Sequence, residues 1–447
     1  MKVRAIILAA GKGTRMKSAT PKVLHEICGR PMLWYVLETL AAAGIREPLV
    51  VIGPDLEPFA GSIRAPTVVQ HEQLGTGHAV RVALDELGAD SAGRILIANG
   101  DMPLVGETVF ARALEALVSD GAAAALVTVR MPLPSSFGRV VRRDGEVERI
   151  VEVRDASTDE LRIDEMNAGI YAFEETALRE VISQLNNANA QGEYYVTDAV
   201  ERTVRGGKRV VPVAAGDHHS MLGINDRVEL AQARAAMNAR LCERYMREGA
   251  TIVDPQTTYL EPELRIGRDT VIYPNSTIGR LSAIGRSCTI GPNVRLSNAR
   301  LGDRVTIRES VVVDTQIADE TIVGPFAHLR GETELGAGVR IGNFVEIKHA
   351  KLSRGAKASH LSYVGDAEVG EETNIGAGTI TCNFDGVRKN VTKIGRNVSI
   401  GSNTSLVAPV TIGDDALTGA SSVVTKDVAP GQRVAGNPAR PLPKKEQ

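Results

Sequence analysis

The sequence predicts two folds in succession. The first is an α/β domain on a mostly parallel, Rossmann-like sheet, and the second is a left-handed parallel β-helix of hexapeptide repeats. Three observations carry this. An aliphatic residue recurs at every sixth position through the C-terminal half, and glycine often follows it. The N-terminal half instead alternates short apolar runs with helical stretches, the pattern of strands and crossover helices. The boundaries read as 1–226 for the α/β domain, 227–250 for a linker helix and 251–447 for the β-helix and its tail.

Bulk composition narrows the function classes. The chain has 447 residues, 52 Lys+Arg against 54 Asp+Glu and a net charge of -2. At roughly 150 residues per domain, that length holds about two to four domains. A nearly neutral surface offers no general attraction for nucleic acid or an anionic membrane, so neither partner is expected. No run approaches the ~20 apolar residues of a spanning helix. The N-terminal apolar run, Ala5 to Ala10, is shorter than the ~7–15 residues of a secretory core and leads into a basic glycine loop. It reads as a first strand. Cys28, Cys242, Cys288 and Cys382 form no CxxC pair, which argues against a disulfide framework or a zinc knuckle and for a reducing, cytoplasmic setting.

Candidate strands are Val3–Ala9, Pro48–Ile52, Thr67–Val69, Ile95–Ala98, Ala123–Val129 and Gly169–Phe173. In such sheets ligands bind outside the carboxyl ends of the strands. The first strand runs into LAAGKGTRM, which is neither a P-loop nor a dinucleotide fingerprint. It offers backbone N–H groups around Gly11 and Gly13, with Lys12, Arg15 and Lys22 nearby, which suits a triphosphate. A tight turn with solvated charges explains the same residues equally well. Another strand ends in Asn99-Gly100-Asp101, where a carboxylate could hold Mg²⁺ bridged to phosphates; Asn-Gly-Asp is also a good β-turn. HEQLGTGHA, from His71 to Ala79, is a third small-residue loop, open to the approach of a flat base. Asp226 with Glu229 reads as the capping box of a helix over about 227–248, leaving Asn225 free for another role.

The C-terminal half keeps phase at Ile266, Ile272, Ile278, Ile284, Ile290 and Leu296, and again from Val323 to Ile347 and from Ile394 to Val424. Each short strand would point its aliphatic residue into a narrow prism, and glycine would let the corner turn sharply. With three hexapeptides per coil, 266–424 holds about nine coils, a column of roughly 40–45 Å at the strand spacing. Cys382 to Thr392 breaks the pattern and reads as an extruded loop. The tail from Val428 to Lys445, rich in proline and glycine, ends the column. Cys382 itself reads as a small core residue.

LxxGxGTRM followed by Pro21-Lys22, then QLGTGHA and NGDMPL, is similar to the sugar-1-phosphate nucleotidyltransferases. Joined to NFVEIK, HLSYVGD, NIGAGTITCNFDG and SNTSLVAPV, these motifs resemble the bacterial family that couples an N-acetylglucosamine-1-phosphate uridylyltransferase to a glucosamine-1-phosphate N-acetyltransferase. The resemblance covers almost the whole chain. It implies acetyl transfer from acetyl-CoA to glucosamine-1-phosphate in the β-helix. Mg²⁺-dependent uridylyl transfer from UTP would then follow in the first domain, supplying peptidoglycan and lipopolysaccharide precursors.

The resemblance also implies residue roles. Leu8, Ala9, Ala10, Gly11, Lys22, Gln70, Gly75, Thr76, Asn99, Gly100 and Asp101 would hold the nucleotide. Gly138, Glu152, Asn167 and Asn225 would hold the sugar phosphate, with Asp101 and Asn225 on the metal and Arg15 and Lys22 stabilising the transferred phosphate. In the β-helix, Arg330 and Lys348 lie one 18-residue coil apart. They would bind the second sugar phosphate with Tyr363 and Asn374. His360 would be the general base, since an ordinary histidine is mostly neutral at pH 7. Ala377, Asn383, Phe384, Ser402 and Ala420 would line the acetyl-CoA groove. A homotrimer is implied, because acyl-CoA sites of this class lie between neighbouring columns. The chain departs from the family pattern at Asn99, where Tyr is usual, at Phe384, where Tyr is frequent, and in the tail AGNPAR, where arginine is expected near position 437. Two other readings remain open: a lone nucleotidyltransferase with a structural β-helix, and a non-enzymatic assembly factor.

Overall fold

The computed structural model describes residues 2–88 and 93–442. The last residues assigned to the tail, from 443 on, lie outside the described residues. The chain divides into two compact units between Met237 and Asn238, a point inside the helix Arg227–Arg247.

The first unit is a twisted sheet with helices. Its strands are β1 (Val3–Ala9), β2 (Pro48–Ile52), β3 (Thr67–Val69), β4 (Arg94–Asn99), β5 (Ala124–Arg130), β6 (Arg139–Arg143), β7 (Glu146–Val151), β8 (Glu165–Glu174) and β9 (Val210–Ala214). The main path runs β9-β5-β8-β4-β1-β2-β3, and β8 alone on that path is antiparallel to its neighbours. β1 and β4 are central and read as near-continuous apolar runs, because helices cover both faces. Two features were not expected from the sequence: the β6–β7 hairpin and β9. β9 contains Pro212, and it lies at the sheet edge, where a strand tolerates a residue without an N–H.

The second unit is a stack of parallel coils with two long sheets of 12 and 15 strands. All sixteen in-phase aliphatics, such as Ile272, Ile290, Leu329, Ile347 and Leu406, are buried. The phase slips have a simple cause in coil length. Thr277 stands beside Arg295, 18 residues on, but Arg295 stands beside Val311, only 16 on, and Glu346 beside Tyr363, 17 on. One turn takes 25 residues, from Ala367 to Thr392, because the Cys382 loop is extruded from it.

The glycines correct the expectation about corners. Most glycines after the aliphatic residue do not have positive φ. The left-handed corner positions are held instead by residues such as Asp269, Asn275, Leu281 and Asn293. The glycine is needed because successive coils approach too closely for a side chain. A Cβ on Gly401 would lie 2.5 Å from the Gly419 carbonyl carbon, and one on Gly376 would lie 2.5 Å from Ile400 O. Cys382 is also not in the core. It is half-buried at the base of the loop.

Candidate active sites

In the first unit, the carboxyl ends of β1 and β4 open onto two adjoining clefts of about 410 Å³ and 700 Å³, which share Asn99 and Asp101. The first is lined by Leu8, Ala9, Ala10, Gly11, Lys12 and Lys22 from the glycine loop, with Gln70, Gly75 and Thr76 opposite. A Cβ on Gly11 would meet no atom within 4 Å, so the loop backbone lies open there. Gly13 has φ 58, and a Cβ on it would lie 2.7 Å from Lys22 Cβ, so this glycine lets the loop close over the Lys22 stem.

The opposite wall is fixed by polar contacts. Gln70 is buried and donates from Nε2 to Gly75 O at 3.0 Å. Gly75 has φ 107 at the start of the helix Thr76–Leu87, and Tyr194 O leaves no room for a side chain on it. Thr76 Oγ1 accepts the Val196 N–H at 3.0 Å.

Between the clefts, Lys22 Nζ donates to Asp101 Oδ2 at 2.5 Å and to Asn225 Oδ1 at 3.2 Å. A carboxylate and an amide oxygen 124 positions apart in sequence thus converge on one cation. Asn225 is positioned by the helix start behind it. Glu229 accepts its N–H at 2.5 Å, while Asp226 Oδ1 caps Val228 and Glu229. Such an all-oxygen pair suits a hard divalent ion that takes its remaining ligands from phosphate and water. Among the described residues, no three His, Cys, Asp or Glu side chains cluster as a self-sufficient metal site.

The second cleft is lined by Arg15, Gly138, Glu152, Asn167 and Asn225. Burial pushes the Glu152 carboxyl up, with Asp198 and Asp155 adding to it against a hydrogen bond from Thr197 Oγ1. Asn167 donates to Tyr171 Oη at 2.7 Å and accepts the Gly169 N–H at 3.0 Å, so its amide is fixed before any ligand arrives. Gly100 does not line either cleft. It is buried behind β1 against Ala9 and Leu33. Sequence reasoning missed Gln73, whose Nε2 donates to Ala10 O at 2.6 Å, and Glu193, which lines the first cleft. Gln73 lies inside QLGTGHA and was within reach of that motif, whereas nothing around Glu193 marked it.

In the second unit the candidate residues fall on two ladders. Leu361 N bonds Asn343 O, Gly378 N bonds His360 O, Asn403 N bonds Ala377 O and Ser421 N bonds Ser402 O. Asn343, His360, Ala377, Ser402 and Ala420 therefore occupy successive rungs of one line along the 12-stranded sheet, with small side chains above the histidine. Asn374 lies on the same sheet, in register with Lys357. Arg330, Lys348 and Tyr363 belong to the 15-stranded sheet, across the corner at Leu361-Ser362. Arg330 pairs in register with Lys348. Its guanidinium is bound to Glu346, with Nε to Oε1 at 2.9 Å. Asn383 donates to Tyr363 Oη at 3.3 Å and also to the buried Asp366, fixing the loop base. The loop pairs Phe384 with Lys389. Phe384 is 60% exposed, and Lys348 lowers the Lys389 ammonium. A cavity of about 630 Å³ in this unit, lined by residues such as Asp314, Thr333 and Glu368, contains none of the site residues expected from the sequence.

Comparisons with known proteins agree with both halves. The family model for the MobA-like NTP transferase domain matches residues 5–156, and that for bacterial transferase hexapeptide repeats matches 314–349 and 392–426. The bifunctional protein GlmU of Heliobacterium modesticaldum is 46% identical over 430 residues, covering 96% of this chain and 94% of its own. That of Geobacillus thermodenitrificans is 44% identical over 443 residues, covering 98% and 96%. The chain belongs to the GlmU family. Like other GlmU family members, it is a bifunctional transferase, with a nucleotidyltransferase domain followed by a left-handed hexapeptide β-helix.

Proposed function

We propose that the β-helix transfers acetyl from acetyl-CoA to glucosamine-1-phosphate. The first domain then joins the N-acetylated product to UTP, giving UDP-N-acetylglucosamine and pyrophosphate. The observation that carries this reading is the presence of two separate constellations. One is the Asp101–Lys22–Asn225 junction between two clefts, and the other is His360 at the foot of a ladder of small residues.

In the first domain, the glycine loop and Gln70 would seat the nucleotide, and Glu152, Asn167 and Gly138 the sugar. The sugar phosphate attacks the α-phosphorus in line and pyrophosphate leaves, so the protein's work is positioning and charge stabilisation. Arg15 and Lys22 would supply positive charge. Asp101 and Asn225 would hold Mg²⁺, whose role when bound is to neutralise phosphate charge. In the β-helix, the amine lone pair attacks the thioester carbonyl while His360 takes the amine proton. The C–S bond then breaks and the proton passes to the departing thiolate. Arg330, Lys348, Tyr363 and Asn374 would hold the sugar phosphate, and the ladder Ala377–Ser402–Ala420, with Asn383 and Phe384, would accept the coenzyme.

The same geometry supports a homotrimer. One column places His360 and Tyr363 on different sheets, and beside His360 the corner residues Phe326, Phe344 and Leu361 are 54%, 56% and 62% exposed. The Phe326 and Phe344 rings stack at 5.3 Å. Such an apolar strip is suited to a second column that completes the site. Among the described residues, no helix is long and apolar enough to cross a membrane. Soluble substrates and four cysteines that form no CxxC pair fit a cytoplasmic enzyme.

A split assay tests the reading. Glucosamine-1-phosphate with acetyl-CoA is followed by free thiol, and N-acetylglucosamine-1-phosphate with UTP and Mg²⁺ by pyrophosphate. Release of both is expected. Pyrophosphate alone would reduce the β-helix to a scaffold.

A further inference from the structure

Asn343 stands directly beneath His360, one coil down the ladder and in register with it. The His360 Nδ1 lies 2.7 Å from Asn343 Oδ1. An amide oxygen can only accept, so the contact requires a hydrogen on Nδ1, and in the neutral ring the lone pair then lies on Nε2. The backbone of His360 is held as well, because Ser362 Oγ donates to its carbonyl at 2.8 Å. The ring itself is exposed on the column surface, so burial does not hold it. The fold brings the two coils this close through Gly342, where any Cβ would overlap the Ser359 backbone.

We propose that Asn343 is a positioning residue for acetyl transfer, fixing His360 as the Nδ1–H tautomer with Nε2 as the base. The inference rests on the general-base reading of His360. When Nε2 takes the amine proton, the imidazolium keeps its Nδ1–H bond to the amide oxygen, so the bond persists through the step. Without Asn343 the ring is free to rotate and to place its hydrogen on Nε2, where it cannot accept a proton.

The test uses the full-length protein, with uridylyl transfer as the internal control of folding. Asn343→Ala is expected to lower kcat for acetyl transfer about tenfold or more. KM for both substrates and the uridylyl rate should stay near those of the parent. Asn343→Asp keeps an acceptor and adds a negative charge. It should retain most of the rate at alkaline pH and move the acidic limb of kcat/KM upward by about one pH unit, since a nearby carboxylate favours the imidazolium. An unchanged kcat and pH profile in Asn343→Ala would overturn the proposal. If that variant loses both activities, Asn343→Asp decides, and an unshifted limb overturns it. His360→Ala is measured alongside. Acetyl transfer surviving in that variant would remove the general-base reading itself, whereas its loss beside a normal Asn343→Ala would remove only this inference.

Discussion

Burial and charge at single residues set how the first site responds to pH. Asp198 sits in the first turn of the helix Thr197–Arg205, where the helix dipole favours an anion. Burial wins, helped by the charge of Glu201, and its carboxyl is pushed up to about 6. A carboxyl raised in the folded state stabilises the fold when protonated. Its contribution is fully present below the unfolded value near 4 and is lost as pH rises toward 6. Asp198→Asn should therefore leave the melting temperature near that of the parent at pH 4 and raise it at pH 7.5. A parallel shift at both pH values would show that the effect is not ionisation. Because Asp198 also pushes Glu152 up, the variant should extend sugar-phosphate binding to lower pH, seen as a smaller rise in KM on acidification than in the parent. At the proposed metal junction, Asp101→Ala is expected to abolish uridylyl transfer and spare acetyl transfer. Retained Mg²⁺ dependence would exclude Asp101 from that site.

Elements show where the sequence was readable and where it was not. The period of six was legible because one aliphatic side chain per hexapeptide enters the prism, and Ile272 through Val424 are all buried there. The 16- and 17-residue coils were not, since dropping a corner residue leaves no mark beyond a phase slip. In the first domain, central β1 and β4 announced themselves as apolar runs. β6 and β7 did not, because Arg139–Val151 is rich in charge, although Asp144-Gly145 is a hairpin signal. The clefts were legible through the glycine loop and NGD. The Arg330–Glu346 pair and the Asn343–His360 contact were not, because they depend on register between coils. The glycines also separate two kinds of constraint. Gly401→Ala forces a Cβ against the next coil and should cost about 1–3 kcal/mol, the usual range for overpacking. Leu281→Gly, at an exposed corner with φ 65, relieves left-handed strain and should be neutral or stabilising by under ~1 kcal/mol. Chemical denaturation of the two variants measures both, and a larger loss at Leu281 would reverse the assignment.

At the scale of the whole molecule, the two chemistries make different demands on assembly. The clefts of the first unit collect every expected lining residue except Gly100 from one chain. The second site splits its residues between two sheets of one column and leaves apolar corners uncovered. Phe326→Asp with Val387→Asp places charge on a corner and on the loop tip, where Val387 is 90% exposed. Phe326 has φ 57, a conformation aspartate accepts more readily than most residues, so the column itself should remain folded. By sedimentation the parent is expected to run as the proposed trimer and the variant as a monomer. Acetyl transfer should fall by at least tenfold with His360, Arg330 and Lys348 intact, while pyrophosphate release from UTP stays near the parental rate. A monomer that still acetylates at full rate would mean that one column suffices and would remove the argument for a trimer built around the second site.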